Sequence, residues 1–321
     1  MKLRSRSEKK SKISSKSLCL KAPLAVIGTV AIDAVETPFG KRGKVFGGSA
    51  SYFSYAASFF TPVALAAVVG RDFPQEYRAI LAERPIDLSH LEVRDGKTFF
   101  WKGKYGTDLN SAQTLETQLN VLTEFNPKLR FEKFPPFLFL ANVDPALQAK
   151  VLDQAAKPRL RFVACDTMNF WIQNKRKELL EVIARVDCMV LNDGEARQLT
   201  GEASLIKAAQ KIKAMGPAHV VIKKGEHGVL LFSGTQFFAL PAYPLESVFD
   251  PTGAGDTFAG GFMGVLASTG DVSFRNMKKA VAMGSVAASF TVEDFGLESL
   301  RRITRADLEI RLKLFKKISS F

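Results

Sequence analysis

The sequence predicts an α/β fold, a three-layer α/β/α domain with a mostly parallel sheet and a small β-lid. Three observations predict it. Short runs of β-branched and small apolar residues, such as Val63 to Gly70, alternate with stretches of helical periodicity, the pattern of parallel strands joined by crossover helices. A loop of small residues, Asp250 to Gly261, opens directly into an apolar helical run. Two extended stretches, residues 34–46 and 97–108, are too short and too polar to join that alternation.

Taken in order, Leu24 to Val30 (LAVIGTV) reads as a buried strand, so the folded domain starts near Ala22. Ser49 to Phe60 carries small and aromatic residues at helical spacing behind a serine cap, with Pro62 after its end. There follow VALAAVVG as a strand, FPQEYRAILAERP as a helix, FLFLANV as a strand, PALQAKVLDQAAK as a helix and RFVACDT as a strand. CMVLND with GEARQLTG, then HVVIKKG, VLLFSG and TQFFALPA continue the series, before the Asp250 loop and two helical stretches.

The two extended stretches are expected to pair as a small sheet outside the core. KTFFWKGKYGTD mixes aromatic with basic or small residues, which suits a strand with one apolar and one wet face. A lid over a cleft has this pattern, and so does a plain surface hairpin. The lid leaves a homodimer through its own surface open.

Composition narrows the function classes. A chain of 321 residues, 46% apolar and 24% charged, can bury a large core. Its longest apolar runs fall far short of the roughly 20 residues that cross a bilayer. Cys19, Cys165 and Cys188 show no paired spacing, and neither do His90, His219 and His227, so neither a disulfide framework nor a zinc site is expected. A reducing, cytoplasmic setting fits. The net charge of +13 looks like a nucleic-acid signal until it is located, because residues 1–21 hold eight Lys or Arg against the single acid Glu8. That segment reads as a disordered basic tail, with a transit-like or polyanion-binding role as its alternative. Residues 22–321 form the folded domain, only mildly basic, for which a nucleic-acid partner is not expected.

The segment DPTGAGDTFAGG carries the chemistry. Gly253, Ala254 and Gly255 leave backbone N–H groups unshielded at a helix N-terminus, where amides and helix dipole favour a phosphate or a developing oxyanion. Asp256, at the loop-to-helix junction, is placed to accept the proton of an attacking hydroxyl. The plain alternative is that Asp256 caps the helix and the glycines only permit a tight turn. No G-x-x-x-x-G-K-[ST] is present, and Phe258 stands where a G-x-G-x-x-G from Gly253 would need glycine.

DPTGAGDTFAGGF closely resembles the D-T-x-G-A-G-D signature of the ribokinase-like, or PfkB-type, carbohydrate and nucleoside kinases. Three further segments resemble that family in the right order. VLNDGEARQLTG looks like its N-x-x-E segment, with Asn192 and Glu195 in the motif positions. VIKKGEHG is similar to its nucleotide-side strand and turn, with Gly225 and Gly228 in register and Lys223 or Lys224 near phosphate. GTVAID and Gly47-Gly48 resemble its substrate contacts, with Asp33 as leading ligand. The resemblance runs from about residue 24 to about residue 297. It departs once: the family often has Asn four residues after the second glycine, where this chain has Tyr52.

The resemblance implies a ribokinase-like fold and phosphoryl transfer from ATP to an alcohol hydroxyl of a small-molecule sugar or nucleoside. It implies Asp256 as general base and the amides of Gly253, Ala254 and Gly255 as anion hole. Mg²⁺ would be organised through Glu195, and a K⁺ site beside the loop would involve Asp250 and Thr252. Phe99, Phe100, Trp101, Tyr105 and Tyr52 are candidates to stack on a base, or else lid core. A non-catalytic nucleotide- or polyanion-binding sensor on the same fold is the competing class, against which Asp256 and Glu195 argue. A doubly wound oxidoreductase lacks support, since LAVIGTVAID offers a single glycine beside the first strand.

Overall fold

The computed structural model describes residues 22–155 and 160–320. The expectations for the basic tail, residues 1–21, lie outside the described residues. In chain order the strands are β1 (Leu24–Ile27), β2 (Ala31–Thr37), β3 (Gly40–Gly47), β4 (Val63–Gly70), β5 (Ile86–Arg94), β6 (Phe100–Tyr105), β7 (Ala112–Gln118), β8 (Phe137–Leu140), β9 (Phe162–Cys165), β10 (Cys188–Asn192), β11 (His219–Lys223), β12 (Val229–Ser233) and β13 (Gln236–Leu240).

Nine strands form the main sheet in the order β13-β12-β11-β10-β9-β8-β1-β4-β5. From β11 to β5 every pairing is parallel, while β12 and β13 turn back antiparallel at one edge. Strands covered on both faces cannot alternate in polarity, so β1, β4, β8 and β9 are buried throughout. Two apolar layers result. One centres on Phe53, Phe139 and Phe262 and the other on Leu138, Leu179 and Ile222. Phe53 stacks on Phe139 with centroids 4.5 Å apart, fixing the helix Ser49–Ala57 to the sheet. A Cβ on Gly261 would stand 2.9 Å from the Gly284 Cα, so bare glycines let the helices Ala254–Thr269 and Phe274–Thr291 touch.

Two local expectations are corrected. The first strand ends at Ile27, not Val30, because the chain leaves the main sheet at Gly28 and enters the second at Ala31. Asp33 is therefore a residue of the second strand. The helix Ser49–Ala57 has Gly48 at its cap and no side-chain cap bond. Ser49 instead exchanges hydrogen bonds with Thr29: its N–H donates to Thr29 Oγ1 at 2.9 Å and its hydroxyl accepts from Thr29 N–H at 3.2 Å. This tie holds the end of β1 to the start of the helix.

The second sheet has four strands in the order β3-β2-β6-β7. The two extended stretches do pair, through parallel β2 and β6, with Asp33 opposite Trp101. Because β6 lies between β2 and β7, it is not an isolated hairpin.

Candidate active site at the carboxyl edge of the sheet

The loop before the helix Ala254–Thr269 is folded by one buried acid. Asp250 is fully buried, and its two carboxylate oxygens accept from Thr252 N–H at 2.9 Å and Gly296 N–H at 3.3 Å. The chain then turns through Gly253 at φ 75°, left-handed backbone that favours glycine, which is the helix N-cap without any side-chain cap bond. Asp256, in the first turn, makes no capping hydrogen bond among the described residues. One amide expected in the anion hole is already used, since Ala254 N–H donates to Pro251 O at 3.2 Å. Those of Gly253 and Gly255 have no backbone acceptor among the described residues. The sides where these glycines would carry side chains are occupied, that of Gly253 by the ring of Tyr52 and that of Gly255 by the ammonium of Lys223.

Asp256 is half-buried in the first helical turn, with no hydrogen-bond partner for its carboxylate among the described residues. Burial pushes it up to about 6, against the opposing pull of the Lys223 ammonium. Lys223 also lowers Asp166 and Glu195, so one cation serves three acids. Asp166 follows β9 at the carboxyl edge, where open α/β sheets bind ligands. It is 4% exposed, its Oδ1 has no partner, and burial, then the charge of Asp256, holds its carboxyl well above the usual range. Sequence reasoning placed it in a strand and did not single it out. An acid directly after an apolar run of a parallel sheet was the available signal.

Asn192 and Glu195 form a reciprocal capping box. The Asn192 side chain accepts from Glu195 N–H and the Glu195 carboxylate accepts from Asn192 N–H, each at 2.7 Å. Glu195 is buried and raised by that burial. The bond fixes one carboxylate oxygen and leaves the other free to meet a cation.

On the opposite side, Asp33 is 4% exposed, with its carboxyl over Gly47 where a side chain would collide. Burial pushes it up to about 8, the charge of Asp250 adds to this, and a hydrogen bond from Gly48 N–H partly offsets both. Tyr52 is fully buried, so it has no open ring face to stack on a base, and that expectation is corrected. Of the other aromatic candidates, Trp101 donates to Thr114 within the lid at 3.2 Å. Tyr105 leaves the lid to reach the loop, its hydroxyl accepting from Thr252 Oγ1 at 3.3 Å.

The turn that holds Gly225 and Gly228 lies beyond β11. Gly225 and Gly228 both have positive φ, 54° and 88°. Gly228 is buried against the backbone of Leu240 and Pro241, while Gly225 lies under the side chain of Asn110. Asn110 also donates to Glu226 at 3.4 Å, so the β6–β7 turn reaches the turn after β11. The structure thus gathers Asp256, Gly253, Gly255, Lys223, Asp166 and Glu195 on one side, and Asp33, Gly47, Gly48 and Tyr52 on the other, with Asp250 and Thr252 in the loop beside them.

The family model described as "pfkB family carbohydrate kinase" matches residues 21–302. A protein of Thermococcus kodakarensis named cytidine kinase is 30% identical over 278 residues, covering 85% of this chain and 97% of that protein. Burkholderia thailandensis nucleoside kinase, solved with inosine, is similar with a TM-score of 0.73 at 18% identity, covering 91% and 97% of the two chains. Arabidopsis thaliana ribokinase, solved with ribose and ATP, is similar with a TM-score of 0.72 at 19% identity, covering 91% and 99%.

Proposed function

The chain belongs to the pfkB family of carbohydrate kinases, and from that premise we propose that it moves the γ-phosphoryl group of ATP to a hydroxyl of a nucleoside or its parent sugar, with Asp256 as general base. One observation carries this reading. Asp256 is uncapped, half-buried and ionisable near neutrality, beside two amides without backbone acceptors and one ammonium. A base poised near the working pH next to an anion pocket is what in-line phosphoryl transfer requires.

In this reading Asp256 takes the proton of the acceptor hydroxyl as the hydroxyl oxygen bonds to the γ-phosphorus and the bond from that phosphorus to the β–γ bridging oxygen breaks, releasing ADP. The amides of Gly253 and Gly255 and the ammonium of Lys223 stabilise the charge gathering on the transferring oxygens. Gly225 and Gly228 let the nucleotide approach the backbone. Asp33, with Gly47 and Gly48 beside it, holds acceptor hydroxyls away from the reacting one. Glu195 and Asp166, two buried acids each with a free oxygen, suit Mg²⁺, which when bound neutralises the β- and γ-phosphates. Asp250, buried and raised by burial, faces no cationic side chain in any ion pair among the described residues, and with Thr252 it suits a monovalent cation such as K⁺.

A nucleoside acceptor is supported by a relative named a cytidine kinase, which covers 85% of the chain. Among the described residues no helix is long and apolar enough to cross a membrane, and buried, unpaired Cys165 and Cys188 suit a cytoplasmic enzyme. Exposed Phe39 and Leu115 on the lid would form the contact of a homodimer. The test is turnover of ATP against cytidine, inosine, ribose, hexoses and inositols, with the product identified by mass spectrometry. Transfer to a nucleoside hydroxyl is expected. ATP hydrolysis without a phosphorylated acceptor, or no turnover with any of them, overturns the proposal.

A further inference from the structure

Gln148, in the helix Pro145–Gln154, is 1% exposed, and its side-chain amide meets the carboxyl ends of β8 and β9. Its Nε2 donates to Leu140 O at 3.2 Å, Ala141 O at 3.0 Å and Asp166 O at 3.3 Å. Three carbonyl oxygens around one atom require that atom to be the amide nitrogen, and the amide oxygen has no partner among the described residues.

These bonds start where the ladder between the two strands stops. Its register ends with Leu140 opposite Cys165, and Asp166 N–H adds one bond, to Leu140 O at 3.1 Å. Beyond it no backbone N–H reaches Ala141 O or Asp166 O among the described residues, and both residues are buried, where an unpaired carbonyl is costly. Gln148 therefore continues the join of β8 to β9 as far as Asp166. The Asp166 carboxyl takes no hydrogen bond from another residue among the described residues, so its place is set through its backbone.

We propose that Gln148 is a positioning residue for the cation site, holding the backbone at Asp166 so that the carboxyls of Asp166 and Glu195 stand where one Mg²⁺ meets both. This rests on the reading above, in which those two acids suit Mg²⁺, and adds to it a residue that acts through Asp166 alone. Groups that hold a cation's ligands in place commonly set its affinity by a factor of about 10 to 100.

The experiment compares parent, Gln148→Met, Gln148→Glu and Val151→Ala, with Asp166→Asn as reference. Mn²⁺ is the probe, its binding to the protein carrying a non-hydrolysable ATP analogue followed by electron paramagnetic resonance, with kcat and the KM values for Mg²⁺ and acceptor alongside. Gln148→Met keeps the length of the side chain without a donor and should weaken Mn²⁺ binding about tenfold, leaving the acceptor KM at its parental value. Gln148→Glu, whose carboxyl keeps its proton among carbonyls and donates one bond, should fall between. Val151→Ala removes buried contacts from the same helix and should lower the melting temperature yet keep parental Mn²⁺ affinity. With Asp166→Asn in place, Gln148→Met should add no further loss. Parental Mn²⁺ affinity in Gln148→Met, an equal loss in Val151→Ala, or a full further loss on top of Asp166→Asn overturns the proposal while the kinase reading stands. If Gln148→Met does not fold, parental affinity in Gln148→Glu overturns it. Parental affinity in Asp166→Asn overturns the placing of Mg²⁺ at Asp166, and the proposal with it.

Discussion

The ammonium nitrogen of Lys223 stands 2.8 Å from the point where a Cβ on Gly255 would lie. A strand end and a helix N-terminus thus close on each other where Gly255 carries no side chain. Burial raises Asp256, and the Lys223 ammonium, packed at this point, partly offsets that rise.

Lys223→Met should reduce kcat by about 10² to 10³, because a donor aimed at the transferring group is lost. It should also move the acid limb of the kcat/KM profile. Asp256 works as a base only when ionised, so the limb lies near its value of about 6, and without the opposing cation that value rises. The limb shifts to higher pH. A rate loss with an unmoved limb would separate Lys223 from Asp256.

Gly255→Ala tests the same relationship from the other side. The atom it would meet is the tip of a flexible side chain, so the fold should survive with its melting temperature within a few degrees of the parent. Catalysis should fall about tenfold or more as the ammonium is displaced. A collapse in stability would show that the helix start itself cannot take a methyl group.

Asp256→Asn should keep ATP binding and lower kcat by about 10² to 10⁴, the typical cost of losing a general base. Because the parent carboxyl is raised by burial, the neutral amide should leave stability unchanged or slightly higher above pH 6. Near-parental kcat in a defined acceptor assay would leave Asp256 without a chemical role.

Much of this was legible in the sequence for definite reasons. β4 is a continuous apolar run because both of its faces are covered, and the Asp250 loop shows itself through small residues that only a close backbone approach demands. β7 (AQTLETQ) was not legible, because every residue in it is exposed and no apolar face marks its period. β5 was missed for a related reason, with Asp, His and Glu interrupting its run at the sheet edge. Ser49 looked like a helix cap, yet its hydroxyl serves Thr29, a partner twenty residues away that no local pattern reveals. Asp166 and Tyr52 share this limit. Their burial depends on which strand and which loop fold over them, so composition around each gives no sign that one would lack a partner for Oδ1 and the other for its hydroxyl.

Asp33 joins stability to function with opposite signs. Its carboxyl is raised from 3.8 to about 8, chiefly by burial, so the folded protein holds a proton there that the unfolded chain releases near pH 4. The stability linked to that proton is fully present below the unfolded value and is lost as pH rises through the folded one. Asn is neutral at every pH and close in shape to the protonated acid. Asp33→Asn should therefore match the parent in melting temperature near pH 4 and exceed it by a growing margin, reaching a few degrees, between pH 4 and pH 8. The same variant should bind acceptor about tenfold or more weakly at pH 8, where the parent carboxyl begins to ionise and accept substrate hydroxyls. Melting curves across pH, with acceptor calorimetry at pH 8, check both halves. A melting-temperature difference that does not change with pH would mean that Asp33 is not proton-linked to folding. Parental acceptor affinity would remove it from the acceptor site.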